Sequence, residues 1–281
     1  MIRTRLTYHS PFHLADAVAL LSEHGENAVV VGGGTMLIPM MTRAEVMVNH
    51  VIDPRKLGLD AISVYEDRVE LGARVTYTDL LRSESLRKTL SLFPRVAAGI
   101  TGGGQIRNQG TIGGSACYAN PASDIPANLV ALKARMRVEG PDGTREIDAE
   151  HFFLDAFRSA VRPSEILTSI AVPRRRLSVG YCKLKLSESS WPIATAVALI
   201  DTTAHEASVT LGGVQNRPLR INLGSLVDSN GKIMLDEVEA FVRAQVTEPR
   251  QDVLAPREYR QQVSGVIARR AFEGLQELEQ Q

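Results

Sequence analysis

The chain has 281 residues, of which 44% are hydrophobic and 23% charged, as in ordinary soluble globular proteins. Its 32 basic and 32 acidic residues balance, so no overall field favours nucleic acid or an anionic membrane. No apolar run approaches the roughly 20 residues of a membrane span, and the N-terminus has no signal-peptide pattern. We therefore expect a cytoplasmic protein with no membrane span and no nucleic-acid partner.

Candidate metal ligands are few. The two cysteines, Cys117 and Cys182, form no CxxC motif, and the six histidines are scattered along the sequence. None of these residues has the spacing of a zinc or iron–sulfur site. We therefore predict no metal centre in this chain.

Residues 1–55 show the pattern of a small βαβ-like unit. Ser10 and Pro11 are a good helix cap and first helical residue, and Gly25 is a good helix end. Two β-branched runs, residues 28–31 and 48–52, predict buried strands.

From residue 62 the pattern changes. Residues 62–73 predict two strands of a meander, and Thr78 predicts the cap of a helical region. A further helix follows Asp124, and residues 135–143 carry a hairpin signal.

Residues 172–176, Val-Pro-Arg-Arg-Arg, are the best candidate for a domain boundary. Two helices, near residues 236–246 and 256–275, close the chain. Between them and the boundary the sequence predicts an antiparallel meander of three strands, residues 181–186, 193–201 and 207–212.

Two glycine-rich segments are the strongest functional signal. Residues 29–36 read Val-Val-Val-Gly-Gly-Gly-Thr-Met, and residues 111–115 read Thr-Ile-Gly-Gly-Ser. Consecutive peptide N–H groups without side chains form a concave nest that binds anions, and glycine permits the positive φ values. Two such nests predict a ligand with two phosphates, which points to a dinucleotide.

Two common nucleotide motifs do not fit. The Rossmann fingerprint requires a third glycine where Leu37 stands, and Pro39 follows shortly after. A Walker A loop requires Lys-Ser or Lys-Thr after the glycines, and neither segment has it. Either segment alone is also compatible with an ordinary tight turn.

No acid/base pair and no nucleophile elbow accompanies these segments, so we predict no catalytic residue. Asp124 is the one carboxylate that is close in sequence to a nest. It is interpreted either as a helix cap together with Ser123 or as an acceptor for ligand hydroxyls, and the two roles are compatible.

The most specific stretch runs from Gln105 to Ser115 as Gln-Ile-Arg-Asn-Gln-Gly-Thr-Ile-Gly-Gly-Ser and continues as Asn-Pro-Ala-Ser-Asp-Ile-Pro over residues 120–126. With Val-Val-Gly-Gly-Gly-Thr at residues 30–35, it resembles the FAD-binding medium subunit of bacterial molybdenum hydroxylases, the xanthine dehydrogenase and carbon monoxide dehydrogenase family. The resemblance covers nearly the whole chain.

The resemblance implies an α+β fold. A PCMH-type FAD-binding domain would span residues 1–176, with subdomains of about 1–55 and 56–176. A smaller C-terminal α/β domain of the carbon monoxide dehydrogenase flavoprotein type would span residues 177–281, with a three-stranded antiparallel sheet and helices.

The resemblance also implies which residues hold FAD. Both glycine-rich segments would hold the pyrophosphate, Asp124 would bond the polyol region, and Thr101 would lie near the flavin ring. Leu167 and Lys183 match FAD-contacting positions in the segment that joins the domains. Trp191, the only tryptophan, falls beside the isoalloxazine, with core packing as the alternative. The full predicted set is Val31, Gly32, Gly33, Gly34, Thr35, Met36, Thr101, Thr111, Ile112, Gly113, Gly114, Ser115, Asp124, Leu167, Lys183 and Trp191.

The function implied is that of an FAD-carrying electron-transfer subunit of a heteromeric molybdenum-containing hydroxylase or dehydrogenase. A large partner would carry the molybdopterin cofactor, and a small partner two iron–sulfur clusters of the 2Fe–2S type. The assembly is expected to be a dimer of heterotrimers. Two alternatives are a stand-alone FAD-dependent oxidoreductase of the PCMH fold and a non-catalytic scaffold module.

Overall fold

The structure is a computed structural model that describes residues 2, 4–201, 203, 204, 206–228 and 232–277. His205 and residues 278–281, which belong to the predictions above, lie outside the described residues. The strands are β1 (Thr7–His9), β2 (Ala28–Val30), β3 (His50–Ile52), β4 (Ile62–Val64), β5 (Arg68–Gly72), β6 (Arg135–Gly140), β7 (Gly143–Asp148), β8 (Phe153–Asp155), β9 (Arg158–Ser159), β10 (Ile166–Pro173), β11 (Leu177–Lys185), β12 (Pro192–Asp201), β13 (Glu206–Gly212), β14 (Leu219–Asn222) and β15 (Gln276–Glu277). The α-helices are α1 (Leu14–His24), α2 (Leu37–Thr42), α3 (Tyr77–Arg82), α4 (Glu84–Thr89), α5 (Leu92–Ala98), α6 (Gly103–Gln109), α7 (Ile112–Tyr118), α8 (Asp124–Ala131), α9 (Ala149–Phe152), α10 (Leu235–Gln245) and α11 (Arg257–Glu273).

The first sheet is a small parallel one in the order β1-β3-β2. Its strands have three residues each, and the apolar face of α1 covers it with Ala17 and Leu21 against Ile52. Parallel strands need crossover connections, which α1 and α2 supply. The βαβ-like pattern is thus present, although β1 had no sequence signal of its own.

The second sheet is antiparallel in the order β4-β5-β10-β6-β7. Helices α3, α5, α7 and α8 bury their apolar residues in its hydrophobic core. The predicted hairpin at residues 135–143 is confirmed as β6 and β7, whose turn is closed by Gly143 with a positive φ of 99°.

The third sheet is antiparallel in the order β14-β13-β12-β11-β15. The α+β class is confirmed, but the expected count of three strands is wrong. Strand β14 has only four residues, too few for a clear alternation, and β15 joins the edge because the chain reverses after α11 and Gly274. Helices α10 and α11 pack on this sheet through a separate core.

Two predicted helix starts are wrong. Helix α1 begins at Leu14 with His13 at the cap position, because Ser10 and the buried Pro11 continue the connection from β1. Its predicted end at Gly25 is confirmed by a bond from the Gly25 N–H to the Leu21 carbonyl. Helix α3 is capped by Thr76 rather than Thr78, because the Thr76 and Asp79 side chains form a reciprocal capping box.

Within the described residues no helix is long and apolar enough to cross a membrane.

A buried arginine joins α11 to the third sheet. Arg260 is fully buried, and its guanidinium donates to the carbonyls of Ile193 and Gly213 and to the Asp252 carboxylate, the last at 2.5 Å. Leu254 and Arg260 donate hydrogen bonds that hold the pKa of Asp252 below its usual value. The arginine therefore satisfies acceptors from three separate parts of the chain.

We predict that Arg260→Met lowers the free energy of unfolding by about 2–4 kcal/mol, since it leaves a carboxylate and two carbonyls short of donors. Arg257→Met, at the exposed start of the same helix, should change it by less than about 0.5 kcal/mol. Urea unfolding of both variants measures this, and equal effects would contradict the role of Arg260.

Candidate functional site

Two cavities adjoin the glycine-rich segments. The larger has a volume of about 500 Å³ and the smaller about 240 Å³, and both are bordered by Gly32, Thr111 and Gly114. The larger volume lies within the range of about 300–1,000 Å³ typical of small-molecule sites. A ligand that occupies both cavities must therefore pass along the place where the two segments meet.

Both segments are packed closely against protein backbone, and the first meets the residues that lead directly into the second. A Cβ added to Gly33 would stand 1.7 Å from the carbonyl oxygen of Gln109, and one added to Gly113 would stand 2.5 Å from the carbonyl oxygen of Ala73. Glycine is required at these two positions because protein backbone fills the space that a side chain would need. Gly34 differs, since its φ of 69° lies in the left-handed region that favours glycine.

The first segment has a free run of donors. Among the described residues, the backbone N–H groups of residues 32–36 donate to no protein acceptor. The Val31 N–H before this run bonds to the Ile52 carbonyl, and the Ile38 N–H beyond it bonds to the Gly34 carbonyl. Consecutive free N–H groups of this kind bind anions, so this segment has the expected property of a nest.

The second segment has no such run of free N–H groups over residues 112–115. The N–H groups of residues 112–115 all have acceptors at 2.9–3.0 Å, namely the carbonyls of Val75 and Ala73 and the hydroxyl and carbonyl of Thr111. The prediction of a second run of free N–H groups is therefore wrong. The physical reason is that Thr111 caps α7 and forms a β-bridge with Thr76, which engages the donors of the first helical turn.

Most of the predicted site residues do meet at the cavities. The larger cavity is lined by Gly32, Gly33, Gly34, Thr35, Met36, Thr101, Thr111, Gly114, Ser115, Asp124 and Trp191. Gly113 and Leu167 line the smaller cavity.

Three predicted residues line neither cavity. Val31 packs beside Met41 under the first sheet, and Ile112 is fully buried in the core of the second sheet. Lys183 forms an ion pair with Asp124, which does line the larger cavity.

Asp124 is the most connected polar group of the site. Its side chain is nearly fully buried, and it accepts hydrogen bonds from the Tyr181 hydroxyl and, at 2.9 Å, from the Lys183 ammonium. Lys183 also donates to the carbonyl of Gly99 at 2.8 Å. A buried carboxylate needs such partners, since an unpaired buried charge is costly. The interpretation as a capping group is wrong, because Ser123 holds the cap position of α8 without a side-chain bond.

Tyr181 was missed by the sequence analysis. It lies two residues from Lys183 on β11, and residues at this spacing share one face of a strand. Burial raises the pKa of Tyr181 well above its usual value, and the neighbouring Asp124 charge raises it further. The Tyr-x-Lys spacing was the available signal, although only the third sheet shows that it faces α8.

Two side chains of the larger cavity's wall, Tyr77 and Cys117, are protonated at neutral pH. Burial raises the pKa of Tyr77 to about 12 and that of the Cys117 thiol to about 12. Both residues line the larger cavity, and neither had a sequence signal for this position. Neither group is a proton acceptor or nucleophile near pH 7.

Trp191 is 41% exposed and lines the larger cavity, so the alternative of core packing is wrong. It is the last residue before β12, and the loop that carries it is fixed where the Thr101 hydroxyl donates to the Ser190 carbonyl at 3.1 Å. Thr101 thus has a structural role at the cavity rim.

Comparison with known proteins gives the family. Residues 4–175 match the model for the FAD binding domain in molybdopterin dehydrogenase. The chain is 35% identical to the carbon monoxide dehydrogenase medium chain of Afipia carboxidovorans, over 97% of both chains. It is 28% identical to the glyceraldehyde dehydrogenase medium chain of Sulfolobus acidocaldarius, over 92% of this chain and 94% of the other.

The fold agrees. A chain of carbon monoxide dehydrogenase from Hydrogenophaga pseudoflava matches with a TM-score of 0.90 and 29% identity over 98% of both chains. A chain of reconstituted CO dehydrogenase from Oligotropha carboxidovorans matches with a TM-score of 0.88 and 33% identity, again over 98% of both. The chain belongs to the FAD-binding medium subunits of the molybdenum hydroxylase family.

Its cofactor is therefore FAD, and the site fits this molecule. A run of unpartnered N–H groups suits the diphosphate, and two cavities with a shared border suit its two ring systems. The assignment of FAD contacts to individual residues stays a prediction.

The glycine contacts give a test that needs no flavin. We predict that Gly33→Ala lowers the thermal stability of the flavin-free chain by about 1–3 kcal/mol or more, because its Cβ collides with the Gln109 backbone. Gly104→Ala, in α6, meets no atom within 4 Å and should be neutral or stabilising. Thermal unfolding of both variants measures this difference, and a Gly33→Ala chain as stable as the parent would refute the observed contact.

Proposed function

We propose that this chain is the FAD-carrying electron-transfer subunit of a heteromeric molybdenum-containing hydroxylase or dehydrogenase. One observation carries the proposal: in a member of this family, the unpartnered N–H groups of residues 32–36 border a cavity that also holds Trp191 and Asp124. Noncovalent FAD is the ligand that this combination serves.

The diphosphate is assigned to the first glycine segment alone. Thr111 and Ser115 contribute hydroxyls from the opposite side, while the N–H groups of their segment donate hydrogen bonds to protein acceptors. The larger cavity takes the flavin, because its wall has the indole of Trp191 and the carboxylate of Asp124, which Tyr181 supports from behind the lining. The smaller cavity takes the adenine, because its wall includes the apolar side chains of Leu21, Leu59 and Leu167.

Bound FAD supplies a centre that accepts electrons singly and releases them singly or in pairs. The chain's own contribution is to bind, orient and shield this cofactor. Tyr77 and Cys117 of the cavity wall stay protonated at neutral pH, and the Asp124 carboxylate is already engaged by Tyr181 and Lys183, so we assign no general base to this site. We infer that substrate is oxidised elsewhere, at a molybdenum cofactor in a large partner.

The electrons are proposed to reach the FAD from two 2Fe–2S clusters of a small partner and to leave to an external acceptor. The similarity to medium chains of carbon monoxide and glyceraldehyde dehydrogenases supports a place among larger and smaller subunits. A dimer of heterotrimers is the proposed assembly. We also propose the division into units of about residues 1–55, 56–176 and 177–281, in keeping with the family match over residues 4–175.

Trp191 provides a direct readout of FAD binding. It is the only tryptophan and lies in the larger cavity, so we expect its emission to be quenched as FAD is added to the flavin-free chain. Lys183→Gln should weaken FAD binding about tenfold or more, because Asp124 loses its charged donor and the cavity wall rearranges.

The matched control is Lys185→Gln. Lys185 lies two residues further on β11, is half-buried, and donates to the Glu188 carbonyl away from Asp124. Its FAD affinity should equal that of the parent chain. A parent chain that binds no FAD would overturn the assignment, and equal losses in both variants would overturn the role of the Asp124 pair.

The assembly is tested by co-purification. We expect the tagged chain, expressed with the other genes of its source, to bring down two further chains together with iron and molybdenum. A flavin-loaded chain that oxidises small substrates without partners would instead establish a stand-alone oxidoreductase. A chain that brings down partners but holds no flavin would indicate a scaffold.

A further inference from the structure

Three histidines that are far apart in sequence meet in space. His9 ends β1, His24 ends α1 and His50 begins β3, and their ring nitrogens lie within 4.8 Å of one another. In the parallel register His50 pairs with Thr7, so His9, two residues beyond Thr7, lies diagonally opposite His50 on the same face of the sheet. Helix α1, which His24 ends, packs on this sheet. Histidines that are scattered along the sequence are thus brought together by the fold, which spacing in the sequence does not show.

The cluster is half-buried and tightly packed. The His9 Nε2 and the His50 Nδ1 are 3.0 Å apart, and the rings of His24 and His50 stack with centroids 3.5 Å apart and planes at 15°. Among the described residues the nearest carboxylate is the exposed Glu23, 4.0 Å from the His24 Nε2. Three imidazoles thus lie in contact with one another, and no buried carboxylate among the described residues pairs with them.

We propose that His9, His24 and His50 bind a divalent late transition-metal ion of the Zn²⁺ class. Imidazole suits zinc, copper and nickel, whereas a site without carboxylate or carbonyl oxygens does not suit magnesium or calcium. Tetrahedral zinc with Zn–N bonds of about 2.0–2.1 Å places ligand nitrogens about 3.3 Å apart, close to the separation of the His9 and His50 nitrogens.

His24 completes the site by turning its ring, since it is the last residue of α1 and stacks on His50 rather than locking into the core. Water takes the fourth position. The three ligands come from β1, α1 and β3, so the metal would link helix α1 to two strands of the first sheet. None of them lines a cavity beside the glycine segments, so this site is separate from the flavin site.

The test uses the full chain without an affinity tag, freed of metal by a chelator, and titrated with Zn²⁺ against a chromophoric zinc indicator. We expect one zinc ion per chain. His24→Gln and His50→Gln should each weaken binding at least tenfold, whereas His151→Gln, at an exposed position on α9, should leave it unchanged. Co²⁺ should give the intense visible band of a tetrahedral nitrogen site in the parent chain and not in the two ligand variants.

Thermal unfolding separates ligation from folding. In chelator the variants should melt close to the parent, and added Zn²⁺ should raise the midpoint only of the parent and of His151→Gln. Zinc binding that is absent from the parent, or equal in parent and ligand variants, overturns the proposal and leaves a stack of hydrogen-bonded imidazoles. The flavin spectrum is recorded in the same samples, so failure of the flavin assignment and failure of this site are observed independently.

Discussion

The contact between Gly33 and the Gln109 backbone is the constraint on which the site depends. It brings the first, parallel sheet against the helices of the second sheet at a distance that no side chain allows. Because the segments meet this closely, the free N–H groups of residues 32–36 face a cavity shared with the start of α7. The glycines thus allow close protein packing, and this packing leaves a stretch of backbone N–H groups without acceptors among the described residues.

A second constraint is the burial of α8 between the second and third sheets. Every residue of this helix is buried, including Asp124 at its first position. A carboxylate there requires donors, and β11 of the third sheet supplies both Tyr181 and Lys183. The same ion pair therefore joins the C-terminal sheet to the larger cavity, so the C-terminal part of the chain takes part in shaping that cavity.

The chemistry of the cavity accords with a relay rather than with an enzyme that activates its own substrate. Its wall has hydroxyls, a protonated thiol, an indole and the Asp124 carboxylate, which Tyr181 and Lys183 engage. Burial keeps the tyrosines and the thiol in their neutral forms. Such a wall would hold a flavin without competing proton transfers. This agrees with the proposed function, in which substrate is oxidised in a partner subunit.

The sequence by itself determined the hairpin at residues 135–143 and the two glycine segments, because these depend on local periodicity and on residues with special backbone freedom. The motif of residues 105–126 gave the α+β class through its resemblance to a known family. The resemblance also placed Trp191 and Asp124 at the site. Only the tertiary structure decided which N–H groups are free, that Tyr181 joins Asp124, and that His9, His24 and His50 meet. These depend on strand register and on contacts between residues far apart in the chain, and local sequence carries no energetic signal for them until the sheets have formed.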